Sequence, residues 1–330
     1  MKAASYEQYG PPEVLQIKDV EKPVPGDNEI LIRVHAATVT PADWRFRKAQ
    51  PPIIRLMNGL TKPKTRILGV ELSGDVVAVG RDVTSFRVGD AVLADTASNG
   101  FGGHAEYKAL PQDAKVVAKP TSMTHEEAAA GICFGGLTSL HFLREQGRIQ
   151  RGHKVLVNGA SGGCGTFAVQ LAKHFGAQVT GVCSTPNVEL VASLGADHVI
   201  DYTKQDFTRN GETYDIIFDT VGKVTFSQCK GSLTKKGRFL ALVFGPRLMA
   251  QMAWTSLFGG KKAIGTVAMG TREDLLLLKE LAETGKLRTV IDRRYPLEQI
   301  AEAHRHAEGG HKTGSVVITF GHLHEEADAC

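Results

Sequence analysis

The sequence predicts an α/β chain in which a β-rich segment precedes a doubly wound parallel sheet. Three observations point there. Residues 1 to about 120 carry short β-branched runs bounded by glycine or proline. From Lys154 to about Thr266, strand-like runs alternate with helix-like ones, as βαβ units require. A glycine-rich turn, Asn158–Gly165, joins one apolar run to a helical pattern.

In the first segment "EILIRVHAATV" (29–39), "GDVVAVG" (74–80), "VGDAVLAD" (88–95) and "GGHAEYKAL" (102–110) read as strands. Turn signals recur between them at short spacing, as in a small barrel or sandwich. After Pro120 the texture changes: Thr124 stands three residues before Glu127, a capping-box spacing ahead of an alanine-rich helix. Strands are expected at 154–158, 178–182, 197–200, 214–219, 238–243 and 263–267, with helices such as "GTFAVQLAKHFG" and "NVELVASLG" between them. A helix in "REDLLLLKELAETG", a second at Leu297–Ala307 and a strand in "GSVVITF" follow. The polar tail "GHLHEEADAC" reads as disordered.

The formal charge of +4 is small for 330 residues, and no basic run of five or more occurs, so nucleic acid is not an expected partner. The N-terminus "MKAASYEQYG" lacks the apolar core of a signal peptide. No apolar run reaches the ~18 residues of a membrane span. Leu248–Phe258 comes nearest, and it reads as a buried, interface or lid segment or a membrane-surface contact. Five cysteines at wide spacing, with no C-x-x-C pair, suit reduced thiols in a cytoplasmic compartment.

A pyrophosphate binds where a strand turns sharply into a helix, because backbone N–H groups and the helix dipole point at the anion. Glycines are needed where a Cβ would block the turn or the phosphate. Here the register is Ala160-Ser161-Gly162-Gly163-Cys164-Gly165, a variant of G-x-G-x-x-G with alanine at its first place. An apolar strand precedes it, and Phe167, Leu171 and Phe175 follow at helical spacing. NAD sites place Asp or Glu at the end of the next strand for the ribose 2′-OH. That strand ends "VTGVCSTPN", where Ser184, Thr185 and Asn187 stand and no acid does. Hydroxyls and an amide accept a 2′-phosphate, so NADP(H) is favoured. No Lys or Arg lies between 174 and 203, so the cation must come from elsewhere. Lys312 is a candidate, and Tyr202 could add a hydroxyl.

Taken together, "GVELSGDVVAVG" (69–80), "FRVGDAV" (86–92), "GGHAEYKAL" (102–110), "GGLTSL" (135–140), "NGASGGCGTFAVQLAK" (158–173) and "SLGADHVIDY" (193–202) resemble the medium-chain dehydrogenase/reductase superfamily, in its zinc-free quinone oxidoreductase branch. The resemblance implies a GroES-like substrate domain over 1–122, a Rossmann NADP-binding domain over 123–268 and a C-terminal return to the substrate domain over 269–330. Zinc members carry a Cys near residue 40 and a His in Gly-His-Glu; here the chain reads "VTPADW" (39–44) and Gly69-Val70-Glu71. No metal is expected, Cys133 reads as packing, and His304, His306 and His311 as scattered surface histidines.

Without zinc, fitting acceptors take hydride with no Lewis acid: quinones, or C=C bonds conjugated to a carbonyl. The resemblance places Thr220, Val221, Leu242, Val243 and Phe244 by an NADPH cofactor, with His311, Lys312 and Thr313 of Gly310–Gly314. Thr40, Trp44 and Phe134 are the expected substrate wall; Trp44 either stacks on a flat acceptor or belongs to the core. No catalytic acid is assigned. An NADPH-binding structural or regulatory protein with little turnover and an enoyl-thioester reductase stay open as alternatives. A homodimer is expected through the sixth strand, "AIGTVA" (263–268), as a sheet edge.

Overall fold

The computed structural model describes residues 1–258 and 260–321. The tail expected to be disordered lies, from residue 322 on, outside the described residues. The chain divides into two compact units. One comprises Met1–Phe134, Leu275–Glu283 and the chain from Thr289; the other comprises Gly135–Asp274 and Thr284–Arg288.

The first unit is built around one long strand, Glu29–Val39, whose alternate residues Ile30, Ile32 and Val34 are fully buried. Its partner on one side is Glu71–Val79. On the other side Tyr107–Pro111 pairs with its first half and Ser315–Thr319 with its second, all antiparallel. Ala91–Asp95 and Val116–Ala118 extend the sheet beyond Glu71–Val79. The chain after Thr289 thus returns to this sheet through Ser315–Thr319, which also pairs in parallel with Ile291–Pro296. Leu68, Leu72, Val76, Val92, Leu110 and Val116 fill the core between the strands. The expected helix after Pro120 forms as His125–Ala129, with Thr124 and Glu127 capping each other reciprocally. It packs on Glu29–Val39 and Glu71–Val79 of this unit, so the change of sequence texture at Pro120 and the division in space do not coincide.

The second unit holds six strands, all parallel, in the order His198–Asp201, Gln178–Cys183, Lys154–Asn158, Tyr214–Asp219, Leu233–Ala241, Lys262–Gly265. The first strand is central, the next two lie to one side and the last three to the other. This order has a switch point between Lys154–Asn158 and Tyr214–Asp219, where doubly wound sheets bind ligands. All six expected strands are present. The fifth begins earlier, at Leu233, and ends at Ala241, after which Leu242 makes one last bond to the Asp219 carbonyl. The sixth is shorter than expected because the pairing with Leu233–Ala241 ends at Gly265.

Leu248–Phe258 lies on helix Pro246–Leu257 and the residue after it. Leu248 and Thr255 are buried, and the Thr255 hydroxyl accepts the Ala263 N–H of the sixth strand at 3.2 Å. That strand is a sheet edge, as expected, but one of its outward N–H groups is therefore covered.

The helix that follows the glycine turn, Gly163–His174, lies so close to its strand that Gly165 cannot carry a side chain. A Cβ there would meet the Gly159 carbonyl oxygen at 2.0 Å and Ala160 Cα at 2.8 Å. Gly165→Ala is expected to lower stability by about 1–3 kcal/mol, the usual cost of overpacking a rigid contact. Urea unfolding checks this, and an unchanged midpoint would show that the helix can move away freely.

Candidate functional site

In the second unit the sequence-expected cofactor residues all follow the C-terminal ends of the parallel strands. Ala160, Ser161, Gly162, Gly163 and Cys164 follow the first strand; Ser184 and Asn187 the second; Tyr202 the third; Thr220 and Val221 the fourth; Leu242, Val243 and Phe244 the fifth. Adjacent parallel strands deliver them to one edge of the sheet.

Helix Gly163–His174 begins with Gly162 as N-cap, and no side chain caps it. Its first-turn N–H groups are thus left for an anion. Gly159 has φ +81, and a Cβ there would lie 2.6 Å from Val221 Cγ1 and 2.7 Å from Thr220 Oγ1. Thr220 donates its hydroxyl to the Asn158 carbonyl at 2.8 Å. The buried Asp219 carboxylate accepts the Asn158 side-chain amide at 2.9 Å and the N–H groups of Gly222 at 3.2 Å and Val221 at 3.3 Å. One acid therefore ties the first strand to the fourth and fixes the turn beside the glycines. Burial raises its pKa above the ordinary carboxyl value, and its Oδ2 has no partner among the described residues. A backbone cradle at an uncapped helix start, with no Cβ to fill it, fits a dinucleotide pyrophosphate.

Asn187 donates to Ser184 Oγ at 3.3 Å. Beside them stands an acid that the sequence reading missed. Asp201 ends the third strand in register with Cys183. It accepts the Thr185 hydroxyl at 2.6 Å and the Thr203 hydroxyl at 2.7 Å, and Lys204 Nζ lies 3.4 Å away. These hydrogen bonds pull its pKa down to about 2. It is distant in sequence from the end of the second strand and reaches it only through the pairing of the third strand with the second. "HVIDY" beside "VCSTPN" was the signal. Tyr202 is exposed.

In the first unit Thr40 is buried and caps helix Pro41–Lys48: its N–H and its hydroxyl both donate to Asp43 Oδ2 at 2.7 Å. Asp43 Oδ1 takes the Gly69 N–H at 2.7 Å, which joins this helix to the turn that carries Val70. Val70 is buried in the core, where a zinc ligand would stand in the zinc members. Next to it Glu71 is 1% exposed; Thr38 Oγ1 donates to one of its oxygens at 2.5 Å and the Phe134 N–H to the other at 2.8 Å. Burial pushes its pKa up to about 8. Trp44 is half-buried, with Arg45 5.3 Å and Lys48 5.8 Å from its ring centroid; its neighbours Ala42 and Phe46 pack on the core. Phe134 packs against that core through its ring. His311 is exposed, Lys312 and Thr313 are half-buried, and Lys312 donates to the Gly314 carbonyl.

The reading of three surface histidines needs correction. His304 is fully buried, edge-on to the buried His104 at 5.6 Å between centroids. Neither of its ring nitrogens has a hydrogen-bond partner among the described residues, and burial holds its pKa well below the ordinary value. His306 pairs with Asp292 at 2.5 Å. His304 lies on the inner face of helix Ile300–Glu308, together with Ile300, Ala303 and Ala307, at helical spacing.

Residues 26–121 match the family model described as alcohol dehydrogenase GroES-like domain, and residues 194–318 the model described as zinc-binding dehydrogenase. The chain is 34% identical to the chloroplastic quinone-oxidoreductase QR1 of Triphysaria versicolor over 96% of this chain and 98% of that one. The chain belongs to the quinone oxidoreductase branch of the medium-chain dehydrogenase/reductase superfamily. It is also 32% identical to the mitochondrial NAD(P)H oxidoreductase RTN4IP1 of Mus musculus, over 96% of this chain and 89% of the other. The solved quinone oxidoreductase of Coxiella burnetii superposes with a TM-score of 0.85 at 30% identity, covering 97% of this chain and 99% of that one. The protein is an oxidoreductase, its family uses a nicotinamide cofactor, and its fold is the GroES-like domain with a Rossmann sheet. No helix among the described residues is long and apolar enough to cross a membrane.

Glu71 makes stability depend on pH in a stated direction. Its native pKa of about 8 lies above the ~4.3 of an unfolded glutamate, so the native chain binds this proton more tightly. Its contribution is fully present below pH ~4.3, falls as pH rises and levels off above about 8. Glu71→Gln is expected to shrink the fall in melting temperature between pH ~5 and ~8. An identical pH profile in the variant would contradict a neutral buried carboxyl.

Proposed function

We propose that the protein reduces a quinone or an α,β-unsaturated carbonyl with NADPH and without a catalytic zinc. The observation that carries this is the filling of the zinc-ligand places. Val70 is a core residue, and the Thr40 hydroxyl is committed to Asp43. Glu71 spends both oxygens on Thr38 and on the Phe134 N–H. An ordinary ketone needs such a metal to stabilise the developing alkoxide; a quinone or enone spreads that charge over its own conjugated system.

When bound, NADPH supplies the hydride. The chain's part is binding, orientation and exclusion of water. Gly162, Gly163 and Cys164 would hold the pyrophosphate, with Ala160 and Ser161 shaping the turn. Thr220, Val221, Leu242, Val243 and Phe244 would line the nicotinamide end. Ser184, Asn187, Tyr202 and Lys312 would meet the 2′-phosphate, and Lys204 joins them as a cation of the same sheet edge. His311 and Thr313 would flank Lys312. Thr40, Trp44 and Phe134 would face the acceptor, Trp44 as a stacking surface whose exposed part is bordered by two cations. No side chain is assigned as the proton donor.

The serine at 184 and the amide at 187 favour NADPH, and Lys204, 3.4 Å from Asp201, offsets the repulsion that this neighbouring carboxylate would exert on a 2′-phosphate. Direct titration is expected to give tighter binding of NADPH than of NADH. Ser184→Asp is expected to weaken NADPH by about 1–3 kcal/mol and to spare NADH. Equal affinities in the parent protein would overturn the assignment, and Asp201 would be the reason. Turnover is expected with 1,4-quinones and simple enones. Activity confined to crotonyl thioesters would make the protein an enoyl-thioester reductase, and NADPH binding without turnover a binding protein.

We also propose a homodimer. The edge strand Lys262–Gly265 is followed by Val267 and Met269, three-quarters exposed, and helix Pro246–Leu257 exposes Met249, Trp254 and Leu257. So much apolar surface beside a sheet edge suits a second copy of the chain. Light scattering is expected to give twice the 35.5 kDa chain mass; the single-chain mass would exclude the dimer. Cys133, Cys183 and Cys229 are buried free thiols, in keeping with a reducing compartment such as the cytoplasm.

A further inference from the structure

Two imidazoles and a carboxylate that no part of the proposed reaction uses converge in the first unit. His35 lies on Glu29–Val39, Asp75 on Glu71–Val79, and His125 opens helix His125–Ala129. Their placement has a local cause. The two strands pair Val34 with Gly74 and Ala36 with Ser73, so His35 is the extra residue of a β-bulge. A bulge re-aims a side chain, and this one turns His35 toward Asp75. Gly74 is required opposite it, since a Cβ there would lie 2.0 Å from the Arg33 carbonyl oxygen.

One edge of this cluster is at hydrogen-bond distance and another at the spacing of metal ligands. One ligand atom from each residue lies within 4.8 Å of the other two. His35 Nε2 is 2.7 Å from Asp75 Oδ2, and the two rings stack at 4.5 Å between centroids. His125 Nε2 is 3.4 Å from Asp75 Oδ1. That is long for a hydrogen bond but close to the ~3.4 Å edge of a tetrahedron whose ligands lie ~2.1 Å from zinc.

The tautomer of His125 is also set. Ser73 Oγ lies 2.8 Å from the Val92 carbonyl, to which it can only donate. It must therefore accept from His125 Nδ1, also at 2.8 Å. A metal-binding histidine is oriented in this way by a hydrogen bond on its other nitrogen. The Nε2 lone pair is then directed at the carboxylate, an arrangement that a cation between them resolves. The side chains are 9%, 27% and 23% exposed, which leaves a path for the ion and room for water ligands. Arg33 Nη2, 3.8 Å from Asp75 Oδ2, competes for the carboxylate and keeps the affinity below that of a closed four-ligand site.

We propose that His35, Asp75 and His125 form a site for a late first-row divalent cation of the zinc type. Imidazole and carboxylate ligands suit such ions. Bound there, the ion would pin the start of helix His125–Ala129 to two strands of the sheet, and it would stabilise the native chain by mass action. The site is independent of the proposed reaction.

The test uses the full chain, stripped with a chelator and dialysed. Titration with Co²⁺, followed by its visible d–d absorption, is expected to saturate at one ion per chain. Zn²⁺ is expected to displace it and to raise the melting temperature. His35→Ala, Asp75→Asn and His125→Ala are each expected to weaken binding at least tenfold. Ser73→Ala, which keeps all three ligands and removes only the orienting hydroxyl, is expected to weaken it severalfold. His306→Gln, at the separate His306–Asp292 pair, is expected to change nothing. No saturable cobalt signal, or binding that survives the three ligand substitutions and Ser73→Ala, would overturn the site. Binding that is lost with His306→Gln would overturn it as well. Reductase activity is read in parallel. Its loss on stripping would count against the zinc-free reaction, while the cobalt titration alone decides the site.

Discussion

A carbonyl oxygen occupies the space that a side chain at residue 165 would need. The Gly159 carbonyl would sit 2.0 Å from a Cβ on Gly165, so strand Lys154–Asn158 and helix Gly163–His174 can meet only without one. That contact places the start of the helix at the sheet's edge and leaves its first-turn N–H groups uncapped. The remaining candidate groups of the second unit are arranged around this edge. Asp219 locks the neighbouring turn through Asn158, Val221 and Gly222, and Thr220 closes on the Asn158 carbonyl. Burying one carboxylate is unfavourable unless its oxygens are hydrogen-bonded; three donors on Oδ1 meet most of that requirement.

In the first unit a different solution to the same problem keeps Glu71 in the core. The carboxyl is held neutral by burial and takes bonds from Thr38 and from the backbone of Phe134. Burial favours the neutral form of this carboxyl, which lies beside the core residue Val70. A second cluster of the same unit, at the bulge of His35, has the ligands that this place lacks.

Much of this was legible in the sequence. Strand–helix alternation placed all six parallel strands, because buried parallel strands are short continuous apolar runs. The glycine turn was legible because its chemistry is local. What was hidden depended on pairing between strands distant in sequence. Asp201 reaches Thr185 only through the register of the third strand against the second. His35 meets Asp75 and His125 only through a bulge and a helix entry from three separate segments. His304 looked like one of several surface histidines, yet helix Ile300–Glu308 turns it inward with Ile300, Ala303 and Ala307. Helix Pro246–Leu257 was visible as an apolar segment, but its apolar residues point both to the edge strand and outward, so periodicity alone could not say what it covers.

The proposed reaction passes hydride from the nicotinamide directly to a conjugated acceptor with no metal assistance. The most direct measurement follows deuterium from C4-deuterated NADPH into the product of a simple enone, with and without a strong chelator. Label on the carbon β to the carbonyl, at a rate the chelator leaves unchanged, is the expected result. Hydrogen from solvent at that carbon, or turnover abolished by the chelator, would contradict it.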